Sequence, residues 1–382
     1  MDFSITAEQK SLRDKIVKFA QQELNDGVIA RDGDQAFSRD LWRKCAEAGI
    51  QGLPADRVYG GSNVDALSCA MGLEALGYGC HDGGLVFSIC AHVLACVMPL
   101  SKHGTDEQKQ RYLPGLCDGR LIGMHAITEP NAGSDPFAMS TRAERDGEGW
   151  RINGTKAFVS NGPVGDVAII FAVTDPQKGF HGGTTAFLVE KDTPGFSAGK
   201  RFEKLGLRTA QVSGLTLENV YVSQTAVLGT VGASSRVFAT AMDWERILLV
   251  AVHVGTMERL LEMSIARARR RSQFGQTIGK FQAVAHKIAD MKVQLEAARL
   301  LTYQASWRLD NVKSASLDAA ITKLFVSESL VRTALDTVQI HGGYGYMAEY
   351  EVERALRDSI GSTIYSGTSE MQRNIIARWL GL

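Results

Sequence analysis

The chain has 382 residues, of which 45% are hydrophobic, 22% charged and 8% aromatic, enough for a large core divided into two or three regions. Lysine and arginine together number 42, as do aspartate and glutamate, so the formal net charge is zero. That balance speaks against a nucleic-acid or membrane-surface partner.

The start, MDFSITAEQK, carries Asp2 where a secretory leader has basic residues, and no apolar stretch follows, so no leader is expected. Residues 1–120 read as a helical region. Leu12, Ile16, Phe19 and Ala20 recur at helical spacing, and Leu41-Trp42 to Ile50 forms another amphipathic run. The most apolar stretch, Leu85 to Leu100, is interrupted by Ser88 and His92 and reads as too short to span a bilayer. All six cysteines (Cys45, Cys69, Cys80, Cys90, Cys96, Cys117) fall in this first part and none forms a C-x-x-C pair. Free buried thiols in a reducing cytoplasm are expected, and no metal site.

Residues 121–230 change period. Gly and Pro punctuate short runs rich in β-branched residues, among them Val167–Val173, Thr184–Val189 and Leu215–Val222, which predict a β-region. Within it Gly195-Phe-Ser197-Ala-Gly199 matches a nucleophile-elbow pattern, but no strand-elbow-helix surrounds it, and it reads as a turn. Residues 231–382 return to helical spacing. Phe281, Val284, Ile288, Met291, Leu295, Ala298, Thr302 and Ala305 put apolar side chains on one face of a long helix, as in an antiparallel bundle. In the basic run Arg267, Arg269, Arg270 and Arg271, at least three of the four read as a solvated helix face. Helices, then strands, then helices, without alternation, disfavour a doubly wound nucleotide-binding sheet. The chain contains no G-x-G-x-x-G, no Walker A loop and no H-E-x-x-H.

Several separate blocks carry a resemblance. Ala126-Ile-Thr-Glu-Pro-Asn-Ala-Gly-Ser-Asp135 is similar to the TEPxAGSD signature of the acyl-CoA dehydrogenase family. Asn153-Gly-Thr-Lys-Ala-Phe-Val-Ser-Asn161 resembles its NGxKxWITN strand. Arg271-Ser-Gln-Phe-Gly275, with Phe281-Gln282 and Ala289-Asp290-Met291, resembles its RxxFG…FQ…ADM helix. Gln339-Ile-His-Gly-Gly-Tyr-Gly-Tyr346 and Ile364-Tyr-Ser-Gly-Thr-Ser-Glu370 resemble its two C-terminal blocks, and the order and spacing hold from Phe3 to the last residue. The resemblance implies a mainly α fold with a middle β-domain: an N-terminal helical domain, a β-barrel-like domain and a C-terminal four-helix bundle. It also implies a homotetramer, a dimer of dimers with FAD held partly across the dimer interface.

By this resemblance His125, Ile127, Thr128 and Ser134 line the flavin, with Thr128 at the pyrimidine edge and Ser134 toward pyrophosphate or substrate. Small Ala132 and Gly133 let the backbone approach closely. Phe158 stands where many relatives have tryptophan near the ring, and Ser160 where threonine is common, its hydroxyl within reach of flavin N5. Alone, Phe158 would read as β-domain core. Arg271 corresponds to an arginine reaching a partner subunit's FAD phosphates, a task suited to a fixed guanidinium fork. Phe274 and Gln282 belong to the same cross-subunit patch, and Gln339, Gly342 and Gly343 to an adenine-side loop. Thr368 and Glu370 complete the cradle at a helix start, where free N–H groups favour phosphate.

The implied reaction removes an α-proton with a carboxylate while hydride leaves the β-carbon for flavin N5. Thioester α-protons are weakly acidic, so the base needs a desolvated place beside hydrogen bonds that stabilise the enolate oxygen. In the largest branch of the family the glutamate lies in an IYEGT block; here that block is Ile364-Tyr365-Ser366-Gly367-Thr368, and Ser366 cannot be a base. Relatives of the isovaleryl-CoA type place it instead on the first bundle helix. Asp243-Trp244-Glu245-Arg246 matches that place, making Glu245 the candidate base, with a small Ser366 leaving room for it. The competing reading of Glu245 is a surface residue at a helix N-terminus. Asp243, Arg246, Ser366, Gly367 and Ser134 are the candidate substrate contacts.

The block Phe87-Ser-Ile-Cys-Ala-His92-Val-Leu-Ala-Cys96-Val-Met-Pro99, with Trp244-Glu245, resembles flavoenzymes that oxidise prolyl or other acyl groups on carrier proteins; read by itself, His92 is equally helix core. The expected substrate is therefore an acyl-CoA or a phosphopantetheinyl carrier protein, and the expected electron acceptor an electron-transferring flavoprotein or oxygen. A non-catalytic flavin-binding protein is the remote alternative.

Overall fold

The computed structural model describes residues 4–382; Asp2 and Phe3, used in reading the start of the chain, lie outside the described residues. Thr6 opens the first helix, Ala7–Glu23, with a capping box: its hydroxyl accepts the Gln9 N–H and the Gln9 side chain accepts the Thr6 N–H. Ile16 and Ala20 are buried, with Leu12 and Phe19 packed against the same core. Arg39–Glu47 and Ala66–Gly79 follow, the latter buried almost all round.

The next helix corrects the reading of Leu85–Leu100. It runs unbroken as Gly83–His103, 21 residues, long and apolar enough by composition to cross a bilayer, but most of its apolar stretch is buried inside the protein. Its continuity depends on a π turn at Val93–Val97, between Gly83–His92 and Met98–His103. Pro99 has no N–H and would crowd the carbonyl four residues back in a regular α-helix; wider i→i+5 pairing just before it relieves that conflict.

Eight strands form one mixed sheet: β1 (Gly123–Ala126), β2 (Arg142–Asp146), β3 (Gly149–Ser160), β4 (Val167–Val173), β5 (Thr184–Glu190), β6 (Phe196–Ala198), β7 (Val212–Ser223) and β8 (Val227–Leu228). Their order is β6-β7-β3-β2-β4-β5-β8, with β1 pairing in parallel alongside β4. Alternation along β4 sends Ile169 and Phe171 to the face covered by helices, and Ala168 and Ile170 to the opposite core with Trp150 and Leu215. Ser197, expected in a turn, lies on β6, paired with Thr216 of β7; the turn is confined to Gly195, at φ +86°. No elbow forms there.

The C-terminal part begins with one long helical rod: Ser234–Trp244, a second π turn at Glu245–Leu249, and Val250–Arg270. It crosses Ala66–Gly79 at two glycines. A Cβ at Gly77 would lie 2.1 Å from the Val252 carbonyl oxygen, and one at Gly255 2.0 Å from that of Glu74, so backbone meets backbone. Gln282–Asn311 and Ser316–His341 pack beside the rod. The apolar stripe of Gln282–Asn311 is fully buried only from Met291 through Ala305. Phe281, Val284 and Ile288 stay partly exposed, the latter two packed against the edge of the bundle core. All six cysteines are free and buried.

Candidate active site

The flavin-lining segment of the resemblance is held by buried charge. Lys156 on β3 is fully buried; its ammonium donates to Glu129 Oε1 at 2.8 Å and to the Ile127 carbonyl at 3.3 Å. Glu129, 3% exposed, also accepts the Ser140 N–H and hydroxyl, each at 2.6 Å, and the Thr141 N–H at 2.9 Å. Burial pushes the Glu129 carboxyl up, but Lys156 and these donors outweigh it and hold it at about 2. Burial also draws the Lys156 ammonium down to about 8 against the pull of Glu129. The Ala157 N–H donates to the Thr128 carbonyl, docking β3 on the loop.

One turn of strand further, β3 is bulged between Lys156 and Val159, and Phe158 takes a left-handed φ of +53°. Phe158 is 69% exposed, with the ring of Phe202 5.5 Å away, so it is not β-domain core. Such a conformation is strained for an aromatic residue and turns the ring outward. Ser160 ends the strand, partly buried. The hydroxyls of Thr128, Ser134 and Ser160 engage no partner among the described residues, and His125 Nε2 is buried without one. Burial, with the Lys156 charge, lowers the His125 imidazole to about 4 and keeps it neutral. Ile127 is buried among the apolar side chains beneath the sheet.

Thr368 caps the last helix, Ser369–Trp379, accepting the Met371 N–H, with Glu370 in its first turn and the Ser369 hydroxyl buried without a partner. Free hydroxyls, a helix start and an outward aromatic ring suit the polar edge, pyrophosphate and face of a flavin dinucleotide. Arg271, Phe274, Gln282, Gln339, Gly342 and Gly343 are all exposed and form no cradle within one chain; Phe274 is 93% exposed. Arg269, Arg270 and Arg271 are exposed, as the reading of at least three of the four as a solvated face requires; Arg267 is partly buried, with its guanidinium 4.7 Å from the Tyr344 ring centroid.

Glu245 lies in the middle of the long rod, at the first residue of its π turn, and not at a helix N-terminus. Ser366 Oγ donates to its Oε2 at 3.3 Å. Burial pushes the Glu245 carboxyl up to about 7, and Ser366 and Arg246 only partly oppose it. Ser366 has φ +54° and Gly367 φ +90°, a left-handed turn that aims the serine side chain at the rod. Arg246 Nε donates to the Ser366 carbonyl at 3.1 Å; Gln372 Nε2 donates to it at 3.3 Å and to the Gly367 carbonyl at 2.8 Å. The Ser366 N–H makes no hydrogen bond to any described residue. Asp243 accepts from the Ser316 hydroxyl at 3.1 Å, which ties the rod to the next helix.

Tyr365 packs on Phe87, ring centroids 4.9 Å apart, and its hydroxyl shares a hydrogen bond with His253 Nε2 at 2.8 Å. Burial, with the Lys323 charge, lowers the His253 imidazole to about 3 and keeps it neutral. His92 proves to be a clamp between the regions: Nδ1 accepts the Gly123 N–H at 2.8 Å and Nε2 lies 3.0 Å from the Leu116 carbonyl. Sequence reasoning missed Lys156, Glu129, His253 and Gln372. The first two stand inside the quoted blocks; the buried lysine opposite a glutamate was the available signal.

Family models match in three consecutive pieces: acyl-CoA dehydrogenase N-terminal domain over residues 6–120, middle domain over 125–220 and C-terminal domain over 235–381. The chain is 41% identical over 382 residues to an L-prolyl-[peptidyl-carrier protein] dehydrogenase of Serratia sp. (strain ATCC 39006), covering 100% of this chain and 99% of the relative. It superposes on the prolyl acyl carrier protein oxidase AnaB with TM-score 0.97 at 48% identity, over 99% and 100% of the two chains. It superposes on PigA with FAD and proline with TM-score 0.98 at 40% identity, over 100% of both.

Proposed function

Because the chain belongs to the acyl-CoA dehydrogenase family, it is an FAD-dependent oxidoreductase acting on CH–CH bonds of acyl thioesters, and we propose that its acyl group arrives on a phosphopantetheinyl carrier protein, with Glu245 as the base. FAD, when bound, takes up the hydride leaving the β-carbon. Thr128, Ser134, Ser160 and the helix start at Thr368–Glu370 are the groups that would hold it, with Phe158 against its face.

The observation that carries the assignment of the base is the contact between Glu245 and Ser366. The residue that cannot accept a proton stands 3.3 Å from a carboxylate raised to about 7. Such a carboxylate is half ionised near neutral pH and basic enough to take a thioester α-proton. Arg246 and Gln372 fix the turn at the Ser366 carbonyl, and the unused Ser366 N–H beside it is a donor for the thioester oxygen as negative charge develops there. Asp243, held by Ser316, and Gly367 shape the surrounding wall.

A carrier-bound acyl group is supported by the prolyl-carrier-protein relatives at 41% and 48% identity. The exposed Arg271, Phe274 and Gln282, with Tyr346 79% exposed, support a second copy of the chain completing the FAD site in a dimer of dimers. Buried free cysteines fit a cytoplasmic location.

Anaerobic mixing of the FAD-loaded protein with acyl-CoAs and with acyl- and prolyl-loaded carrier proteins, followed by flavin bleaching, tests the reading. Bleaching by a loaded carrier alone supports it, and bleaching by CoA esters alone overturns the carrier assignment. No bleaching by any thioester overturns the substrate class. Hydrogen peroxide formed during aerobic turnover identifies oxygen as acceptor; its absence leaves an electron-transferring flavoprotein.

A further inference from the structure

A file of aromatic rings runs from the surface to the long rod, and the proposed chemistry uses none of it. Phe137 follows Ser134 on the loop after β1 and is 57% exposed. Its ring meets that of Phe180, on the short helix Gly179–Gly183, with centroids 4.8 Å apart, and Phe180 meets Phe238 of the rod at 5.8 Å. Phe238 also lies 6.3 Å from Phe171 of β4, so the sheet fixes its place. Seven residues separate Phe238 from Glu245, just under two helical turns, which puts both on one face of the rod about 10 Å apart.

The file therefore leads outward from the candidate base. The two ring steps place Phe137 within about 11 Å of Phe238, and the rod adds about 10 Å, so the path from the exposed ring to Glu245 is roughly 20 Å. A phosphopantetheine arm has about fifteen bonds between its phosphorus and the α-carbon of the acyl group, roughly 19 Å at the spacing of an extended chain. An arm lying along this path with its α-carbon at Glu245 ends beside Phe137. The surface there is apolar and nearly neutral. Exposed Val231 adjoins the same short helix, since a Cβ at Gly232 would lie 2.6 Å from the Gly182 carbonyl oxygen. Lys178 is paired with Asp175 at 3.0 Å, and the Asp135 carboxylate accepts the Phe137 N–H at 3.0 Å.

Resting on the reading of a carrier-bound substrate, we propose that Phe137, with Val231 and His181, is the surface on which the carrier protein itself docks, apart from its arm. The occupant is a protein that presents an apolar side chain beside its phosphopantetheine attachment. A paired lysine and an exposed ring suit such a partner better than the several phosphates of a CoA nucleotide, which call for unpaired cations. His181, exposed and with its ring 5.8 Å from that of Phe137, supplies a donor for the arm's single phosphate. Buried Phe180 backs the Phe137 ring and the Asp135 carboxylate holds its backbone, so the ring is presented ready-placed and loses little freedom on docking.

The test compares a loaded carrier protein with the pantetheine thioester of the same acyl group, which keeps the arm and lacks the protein. The acyl group is prolyl or butyryl, whichever bleaches the wild type faster. Anaerobic flavin bleaching is followed against substrate concentration in the FAD-loaded wild type, Phe137→Ala and Phe137→Gln. The carrier concentration at half-maximal rate should rise about tenfold in Phe137→Ala, the scale of a lost aromatic anchor at an interface. The plateau rate and the response to the pantetheine thioester should not change. Phe137→Gln keeps the length of the side chain without its apolar ring; it should act alike, and it decides if Phe137→Ala does not fold. An unchanged half-saturation for the carrier overturns the proposal, and so does an equal rise with the pantetheine thioester, which would make Phe137 a contact of the arm. An equal rise with the acyl-CoA would make the surface a nucleotide rim and overturns it too. A wild type bleached by small thioesters but by no loaded carrier would count instead against the carrier reading beneath it.

Discussion

Ser366 Oγ reaches Glu245 Oε2 across 3.3 Å from a residue 121 positions away in the chain, held at φ +54° by two side-chain donors on its carbonyl. The hydroxyl is a hydrogen-bond donor to the ionised form of the carboxylate and opposes the upward push of burial. Ser366→Ala should raise the Glu245 carboxyl further and move the acid limb of the pH profile of flavin reduction up by roughly half to one unit. Stopped-flow reduction from pH 5 to 9 reads it. An unmoved limb with unchanged rate would show that the contact does not matter to the base.

Glu245→Gln keeps size and burial and removes the base. Flavin reduction should fall by about 10²–10⁴-fold with FAD content unchanged. In the wild type the rate should rise with pH to half its plateau near pH 7, where Glu245 becomes ionised.

Stability should respond in the opposite sense. The folded-state value of Glu245, about 7, lies above the ordinary 4.5, so its contribution is fully present below pH 4.5 and lost as pH rises to about 7. Glu245→Gln should therefore be more stable than the wild type above pH 7, by roughly 1–3 kcal/mol, and equal to it near pH 4. Denaturant titrations at the two pH values check both statements.

The pair Lys156–Glu129 anchors the loop from Ile127 to Ala132. Lys156→Met leaves a carboxylate that is 3% exposed without its counter-ion, which costs about 3–5 kcal/mol. FAD should dissociate more readily in step, since Thr128 and the bulge at Phe158 lose their common support. Adding Glu129→Gln should recover much of the stability; calorimetry and FAD titration of the single and double variants measure the two effects.

Arg271 and Phe274 touch little of their own chain. If a second copy completes the cofactor site, Arg271→Ala should weaken FAD binding about tenfold to a hundredfold, the scale of a charged hydrogen bond, without altering the unfolding of the apoprotein. Unchanged FAD affinity would exclude a phosphate contact for Arg271.

Much of the architecture is local in origin and was legible in order along the chain. Helical spacing marked Ala7–Glu23 and Gln282–Asn311, and β-branched runs marked β4 and β5 within one residue and β7 within three. The exchange of glutamate for serine in the last block, with a glutamate on the first bundle helix, named Glu245 and Ser366 before any geometry. Periodicity and motif are set by neighbours a few residues apart, so residue order alone determines them.

What tertiary packing decided depends on groups remote in sequence. The π turns at Val93–Val97 and Glu245–Leu249 leave no periodic trace, since one extra residue per turn is tolerated only where neighbours fill the widened groove. Phe158 reads as core by composition, yet a bulge and a left-handed φ turn it outward. The carboxyl of Glu245 acquires its basicity from burial among several helices, and Tyr365 is placed against Phe87 while its hydroxyl meets His253, 112 residues away in sequence. Desolvation and side-chain contact are properties of enclosed space, and that space exists only once the helices and the sheet have packed together.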